Sequence, residues 1–134
     1  MSYDKPHRQK YAFYFDAGNN GNETWSIKGP KGKAGRLFDW GVEGVVEAFT
    51  ADAQLSVGTA ADPDAFGEEL AFGVVAVDTV ESVRTLYREQ DAGFTALIGA
   101  SGLNIPADTL VQLTLTDDAA AGMGTFFVII DWQD

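Results

Sequence analysis

The chain has 134 residues, of which 46% are hydrophobic and 12% aromatic, a composition typical of one globular domain that can bury a core. It contains no cysteine, which excludes disulfides, cysteine-ligated zinc and thiol nucleophiles. It also lacks a run of about 18 apolar residues, so the sequence predicts no transmembrane helix and no membrane partner.

The net charge of −11 is unevenly distributed along the chain. Residues 1–38 contain seven of the nine basic side chains and three acidic ones, a balance of +4, whereas residues 39–134 have a balance of −15. Nucleic acid binding depends on neutralising phosphates, so a body this acidic is not expected to bind nucleic acid. The asymmetry suits docking of a basic end onto an acidic surface, and it also fits a soluble acidic protein with lysines in its loops.

The N-terminal part predicts an arm followed by two strands. Residues 1–10 are polar, contain one proline and show no periodicity, which predicts an extended arm before a domain over residues 11–134. Alternation predicts strands at residues 11–16 and 24–28, separated by the turn-forming sequence AGNNGN. A second turn, GPKGKAG, carries Lys31 and Lys33 near its tip.

The longest alternation covers residues 36–49 and predicts a long strand. Gly41 and Gly44 interrupt it, which predicts a bulge, a bend or a break into two strands. Further strands are predicted at residues 53–58 and 70–77. The predicted core face of the long strand consists of Phe38, Trp40, Val42, Val46 and Ala48.

Residues 79–89 predict the one helix of the chain. Asp78 and Glu81 have the spacing of a capping box, with Asp in place of Ser or Thr. Apolar residues then follow at helical spacing. A strand is predicted again over residues 94–99, and Pro106 excludes a central strand in the loop that follows. The apolar residues of the predicted helix are Val80, Val83, Leu86 and Tyr87.

The C-terminal residues 108–132 predict a β-hairpin with two apolar arms. The first arm alternates, which is typical of a half-buried strand. The second arm is apolar on both faces, because Phe127 and Ile129 lie on the reverse of its core face. A cover for that reverse face comes either from the predicted helix or from another subunit. The predicted core residues are Val111, Leu113 and Leu115 in the first arm and Phe126, Val128, Ile130 and Trp132 in the second.

About eight short strands, Gly-, Pro- and Asn-rich connections and a single helix predict an all-β fold. The spacing favours a two-sheet antiparallel β-sandwich of the jelly-roll type over an immunoglobulin-like sandwich. No internal repeat is evident.

No constellation of residues indicates catalysis, and the sequence predicts a protein that is not an enzyme. His7 is the only histidine and lies in the predicted arm. Acidic residues crowd one loop at Asp62, Asp64, Glu68 and Glu69, and another at Asp117 and Asp118. They could supply oxygen ligands to calcium, although no calcium-loop spacing is present.

The sequence fits a sugar site and a phosphate site less well. Trp25, Trp40, Tyr14 and Tyr87 could line a sugar platform, but the two tryptophans alternate in phase with core positions, which favours a core role. The glycine-rich loops precede strands, so they lack the helix N-terminus that binds phosphate. No cofactor is predicted.

Three segments combine turns and strands in a distinctive order. Residues 31–66 combine a Gly-rich turn, a long alternating strand, a strand ending in VGT and a DPDAF loop. Residues 80–116 contain an IPADT turn, and residues 122–132 form a final strand that begins with Gly-Thr. Together these segments resemble virion proteins of tailed bacteriophages, namely small β-sandwich or jelly-roll proteins that decorate or cement phage heads. The resemblance covers about residues 25–132. Residues 1–24 carry no capsid-docking signature.

The resemblance implies a non-enzymatic decoration protein on the outer capsid surface of the virion, made in the bacterial cytoplasm. Its partners would be the major capsid protein and copies of itself, often as trimers. The alternative is a carbohydrate- or calcium-binding sandwich module of a phage fibre or host-recognition protein. Predicted capsid or inter-subunit contact residues are Lys5, His7, Arg8, Lys10, Lys31, Lys33, Phe127 and Ile129.

Overall fold

The computed structural model describes residues 7–17, 22–50, 53–72, 75–117 and 121–133. These ranges contain nine strands and two short helices. In chain order they are β1 (His7–Asp16), β2 (Glu23–Lys28), β3 (Gly35–Glu47), β4 (Ala53–Gly58), β5 (Gly67–Ala71), β6 (Glu81–Ser82), α1 (Val83–Leu86), α2 (Ala92–Ala96), β7 (Asn104–Ile105), β8 (Leu110–Asp117) and β9 (Met123–Trp132).

The strands form two antiparallel sheets that pack against each other. Sheet A has the order β1-β9-β3-β6, and β7 pairs with one end of β3. Sheet B has the order β2-β8-β4-β5. When the two-residue strand β7 is left aside, this interleaving is that of an eight-stranded jelly roll. The predicted all-β, two-sheet antiparallel sandwich is therefore confirmed.

The predicted C-terminal hairpin is wrong in its pairing, although both of its strands are present. β8 pairs with β2 and β4 in sheet B, whereas β9 pairs with β1 and β3 in sheet A. Each of the two strands has an apolar face that points toward the core. Because the strands lie in opposite sheets, these two apolar faces are buried against each other. The alternation correctly identified the core residues, because it reports which face is buried and not which strand is the neighbour.

The core lies between the inner faces of the two sheets. Aromatic residues cluster around Phe126 in this core, and its ring centroid lies 5.8 Å from that of Phe15 and 5.7 Å from that of Phe49, distances typical of edge-to-face pairs. Residues with no more than 2% exposure include Val111, Leu113, Leu115, Phe126, Val128, Ile130 and Trp132.

Two bulges in β3 change which of its residues face the core. The register against β9 shifts between Leu37 and Asp39 and again between Glu43 and Glu47. Gly44 has φ of 56° at the second shift, a conformation that favours glycine. As a result Val45 is buried and Val46 is 67% exposed, which corrects the predicted core position of Val46.

The predicted helix over residues 79–89 is much shorter in the structure. Helix α1 covers Val83–Leu86, and its capping box is formed by Ser82 and Thr85 instead of Asp78 and Glu81. Asp78 has φ of 64° and donates its N–H to Val45, so it belongs to a turn. Of the four apolar residues at helical spacing, only Val83 is buried; the spacing was therefore coincidental for the other three.

The strand predicted over residues 94–99 is also wrong. Helix α2 (Ala92–Ala96) occupies its first half, and Phe94 is buried from that helix. Ile98 forms only an isolated bridge to Gly67. In the strand predicted over 70–77, Leu70 and Ala71 belong to β5, the described residues 75–77 are not in a strand, and residues 73–74 lie outside the described ranges.

The predicted extended arm over residues 1–10 is wrong for residues 7–10, which belong to β1. They pair with β9 in an unbroken register that runs from His7 opposite Trp132 to Asp16 opposite Met123. The backbone of β1 pairs with β9, while the polar side chains of residues 7–10 remain mostly solvated. Residues 1–6 lie outside the described ranges.

Candidate interaction site at the basic end of the sandwich

The sheet register brings many of the basic residues to one end of the sandwich, which we call the basic end. His7 and Gly35 both lie opposite Trp132 there, and the β2–β3 turn packs on the same tryptophan. The adjacent position of β9, Asp131, lies opposite an arginine on each side. The basic side chains collected at this end are Arg8, Lys28, Lys31, Lys33 and Arg36.

A cleft of about 550 Å³ opens at the basic end, between the β2–β3 turn and the loop before β8. Three lysines line it against a single acidic residue, so its walls carry net positive charge in a protein of net charge −11. Its floor is apolar: Trp132 is buried and Leu110 is 50% exposed. The lining residues are Lys28, Gly29, Pro30, Lys31, Lys33, Asp108, Thr109, Leu110 and Trp132.

Glycine makes the close packing of the β2–β3 turn possible. A Cβ at Gly29 would lie 2.3 Å from the Trp132 ring, so no other residue fits without displacing the indole. The indole Nε1 donates to the hydroxyl of Tyr11 at 2.9 Å, which fixes the ring. The backbone N–H of Gly32 donates to Asp108 Oδ1 at 2.8 Å and ties the turn to the other wall. Lys31 and Lys33 therefore belong to a turn that is held at several points.

An arginine cluster lies beside the cleft on the outer face of sheet A, the face directed away from sheet B. The Arg8 guanidinium donates to both oxygens of Asp131, at 2.7 and 2.9 Å. The guanidinium carbons of Arg8 and Arg84 lie over the Phe38 ring, 3.6 and 3.9 Å from its centroid. Two cations this close cannot share one ring face, so they sandwich Phe38. Arg8 holds the pKa of Asp131 below its ordinary value.

The reverse face of β9 is covered within the chain at Phe127. Lys10 of β1 and Glu43 of β3 form an ion pair with an N–O distance of 2.5 Å. The Lys10 Nζ lies 4.7 Å from the centroid of the Phe127 ring. Phe127 is consequently 4% exposed, whereas Ile129 is partly exposed. Lys10 and Glu43, from the strands on either side of β9, thus cover Phe127. The sequence had suggested that this cover would come from a helix or from another subunit.

Helix α1 is attached to the same outer face through Asp39, next to Phe38. Its carboxylate accepts from the Ser82 hydroxyl at 2.8 Å and from the Arg84 backbone N–H at 3.1 Å. Burial raises the pKa of Asp39, and these hydrogen bonds oppose the increase. Arg84 also donates through Nε to the Phe38 carbonyl at 2.6 Å, which orients its guanidinium over the ring.

The opposite end of the sandwich is acidic. Met123, at the start of β9, lies opposite Asp16 on one side and Glu47 on the other. β2 begins there with Glu23. No strand residue that the structure describes at this end carries a basic side chain. Along β1, β2 and β3, basic side chains therefore lie toward one end of the strand and acidic side chains toward the other.

The structure brings some of the predicted contact residues together and separates others. Lys31 and Lys33 line the cleft, while His7 and Arg8 begin the adjacent strand β1. Lys10 lies farther along β1 and, with Phe127 and Ile129, belongs to the outer face of sheet A. Lys5 lies outside the described residues. Sequence reasoning missed Lys28, Arg36 and Arg84; strand alternation could have identified the first two as solvent-facing positions.

The residues considered for sugar or calcium binding have other arrangements. Trp40 is buried in the core, and Trp25 stacks on Phe13 with centroids 5.2 Å apart. A hydrogen bond to Asp64 raises the pKa of Asp62 and that of Glu68. Across the described ranges, no group of three or more acidic or histidine side chains is arranged to hold a metal ion. Asp118 lies outside those ranges.

No protein-family model matches this sequence, and no curated protein is similar to it. In the part of the chain that the structure describes, neither helix is long and apolar enough to cross a lipid bilayer.

Proposed function

We propose that the protein is a non-enzymatic structural component of a tailed-phage virion that binds the outer surface of the capsid and stabilises the head. The single observation that carries the docking part of this proposal is the collection of basic side chains and a lysine-lined cleft at one end of an acidic sandwich. The assignment to a virion comes from the resemblance of residues 25–132 to phage decoration proteins.

Charge and shape together favour a protein surface as the partner. The cleft offers lysines around an apolar floor of Leu110 and Trp132, a combination that suits a peptide segment with both acidic and apolar side chains. Its partner in this proposal is an acidic exposed segment of the major capsid protein. Copies of this chain would also contact one another on the shell, three at a time according to the resemblance.

Re-addition to capsids that lack the protein tests the proposal. The purified protein should bind such capsids and raise the temperature at which they release their contents. Lys28→Glu combined with Lys31→Glu should abolish most of the binding, since both side chains are exposed and line the cleft. Arg88→Glu is the matched control, because it reverses an exposed charge outside the cleft. Absence of binding to any capsid form, or equal loss in the control, would contradict the proposal.

A further inference from the structure

The two lateral sides of the sandwich differ in how they are closed. On one side, β5 and β3 are linked by the segment between α2 and β7: Glu68 donates its backbone N–H to Leu97, and Leu37 donates to Leu103, each at 2.8 Å. Gly67 also bridges to Ile98. The chain thus closes this side with its own backbone.

The other side is formed by two edge strands, β1 of sheet A and β2 of sheet B. We call it the open side. Within the described residues, the strand β1 pairs with β9 and with no other strand. Between the two edges lie Tyr11, Phe13 and Trp25, which pack against the core and remain partly exposed. The aromatic seam therefore lies beside a strand edge that faces no other described strand.

β1 has few of the features by which natural edge strands avoid pairing with another chain. It is 10 residues long, its register against β9 contains no bulge, and it includes no proline. Edge strands are usually blunted by shortness, bulges, proline or charge. Charge is the one such feature here, and it is confined to the two ends of the strand, with Arg8 and Lys10 near the start and Asp16 at the end.

We infer that the open side is an interface between two copies of this chain, in which β1 pairs antiparallel with β1 of the second copy across a twofold axis at Ala12. Directly opposite residues in an antiparallel pair share a face. This register places Arg8 opposite the second copy's Asp16, and Lys10 opposite its Tyr14, which is 60% exposed. Ala12, exposed and small, meets itself at the axis.

The order of charges along the two edge strands β1 and β2 favours the same orientation. An antiparallel pair places the basic end of each copy beside the acidic end of the other. The same rotation keeps each sheet in its own layer, so β2 also approaches β2 of the second copy with Lys28 toward Glu23. A parallel arrangement would instead align like charges, which opposes association. Edge pairing of this kind joins each sheet to its counterpart and covers the aromatic seam.

The inference requires no capsid and is independent of the proposed docking of the basic end onto a capsid. It also differs from the trimer that the resemblance implies, so molar mass distinguishes the two. Light scattering during size-exclusion chromatography of the full chain should give twice the monomer mass of 14.4 kDa. A monomer throughout the micromolar range, or a trimer, would overturn the twofold contact.

Cysteine crosslinking tests the register, because the chain has no cysteine of its own. Opposite residues of antiparallel strands have Cβ atoms about 4.5–5.5 Å apart, near the disulfide span of about 3.5–4.5 Å. Ala12→Cys should therefore convert almost fully to a covalent dimer under mild oxidation. Ala71→Cys, an exposed position on the edge strand of the closed side, is the control and should remain mostly monomeric. Equal crosslinking of both variants would overturn the proposed pairing.

A charge at the axis provides a second check. Ala12→Lys places two like charges opposite each other and should produce a monomer with an unchanged circular dichroism spectrum, since the position is exposed in a single copy. Ala71→Lys should remain a dimer. A dimeric Ala12→Lys variant would count against the interface.

Discussion

Lys10 Nζ lies 2.5 Å from Glu43 Oε1, and the two side chains reach each other from the strands on either side of Phe127. The register explains the geometry, since Lys10 is opposite Ile129 and Glu43 is opposite Thr125, one step to each side of Phe127 along the same face. The aliphatic stem of Lys10 covers the ring while its ammonium group pairs with the carboxylate. A strand that is apolar on both faces is thereby accommodated within one chain.

The cover over Phe127 should depend more on the lysine stem than on its charge. Lys10→Met retains the stem and should cost no more than about 1 kcal/mol, the upper range for an exposed ion pair. Lys10→Ser removes the stem as well and should cost about 1–2 kcal/mol more through exposure of the ring. Urea denaturation measures both. Equal costs for the two variants would show that charge, and not coverage, is what stabilises this face.

Phe38 should stabilise the folded protein through its cation–π contacts with Arg8 and Arg84, and not through burial in the core. Phe38→Leu removes the aromatic face while keeping an apolar side chain of similar size, and should cost about 1–2 kcal/mol, since each exposed cation–π contact contributes about 0.5–1 kcal/mol. In an Arg84→Gln background the cost of Phe38→Leu should fall by about half. A double-mutant cycle in thermal unfolding measures this coupling, and full additivity would contradict the sandwich.

Asp39 should be the residue that holds α1 on sheet A. Asp39→Ala leaves the Ser82 hydroxyl and the Arg84 and Trp40 backbone N–H groups without their acceptor, and should cost about 2–4 kcal/mol. Asp91→Ala is the control, because Asp91 accepts a backbone N–H from Arg88 at an exposed site and should cost less than about 1 kcal/mol. Hydrogen exchange should show α1 opening first in Asp39→Ala. Global unfolding with no local opening would contradict the anchoring role.

The contributions of Asp131 and Asp39 to the free energy of unfolding should change with pH in opposite directions. The pKa of Asp131 is lowered by Arg8, so its stabilising contribution is present above the ordinary value of 3.8 and is lost as pH falls through the folded-state pKa. Asp131→Asn should therefore flatten the loss of thermal stability in acid. The measurement is the melting temperature of both proteins as a function of pH; parallel curves would contradict a stabilising ion pair.

The pKa of Asp39 is raised by burial, so the folded state retains a proton that the unfolded state has already lost. The stabilising contribution of the protonated Asp39 is at its maximum below pH 3.8, and it decreases as the pH rises through the folded-state pKa. The stability of the native protein relative to Asp39→Asn should consequently decrease over that window, in the same pH series. A relative stability that increases there would show that hydrogen bonds to the charged form outweigh burial.

Alternation along the strands predicted the core because it reports burial directly. Leu113, Phe126 and Ile130 were all assigned correctly to the inner faces. The pairing of β8 with β9 was predicted wrongly because neighbours in sequence need not be neighbours in a sheet, and a jelly roll sends consecutive strands to opposite layers. The phase of β3 beyond Gly44 was missed because a bulge reverses the faces while leaving the apolar pattern almost unchanged.

The candidate site was predictable only in part. Lys31 and Lys33 stood out because they lie in a Gly-rich turn, whereas Lys28 and Arg36 required the sheet register to bring them beside Trp132. Arg84 is distant in sequence and reaches the site only through the contact of α1 with Asp39. Charge segregation along the chain indicated a basic end, and the strand register determined where that end is.

The location of the protein in purified virions tests the central claim most directly. Cryo-electron microscopy of virions with and without the protein should reveal difference density on the outer surface of the head, with the β2–β3 turn of at least one copy directed toward the shell. Density on the tail, density on the head with no β2–β3 turn directed toward the shell, or absence of the protein from the virion would contradict the account.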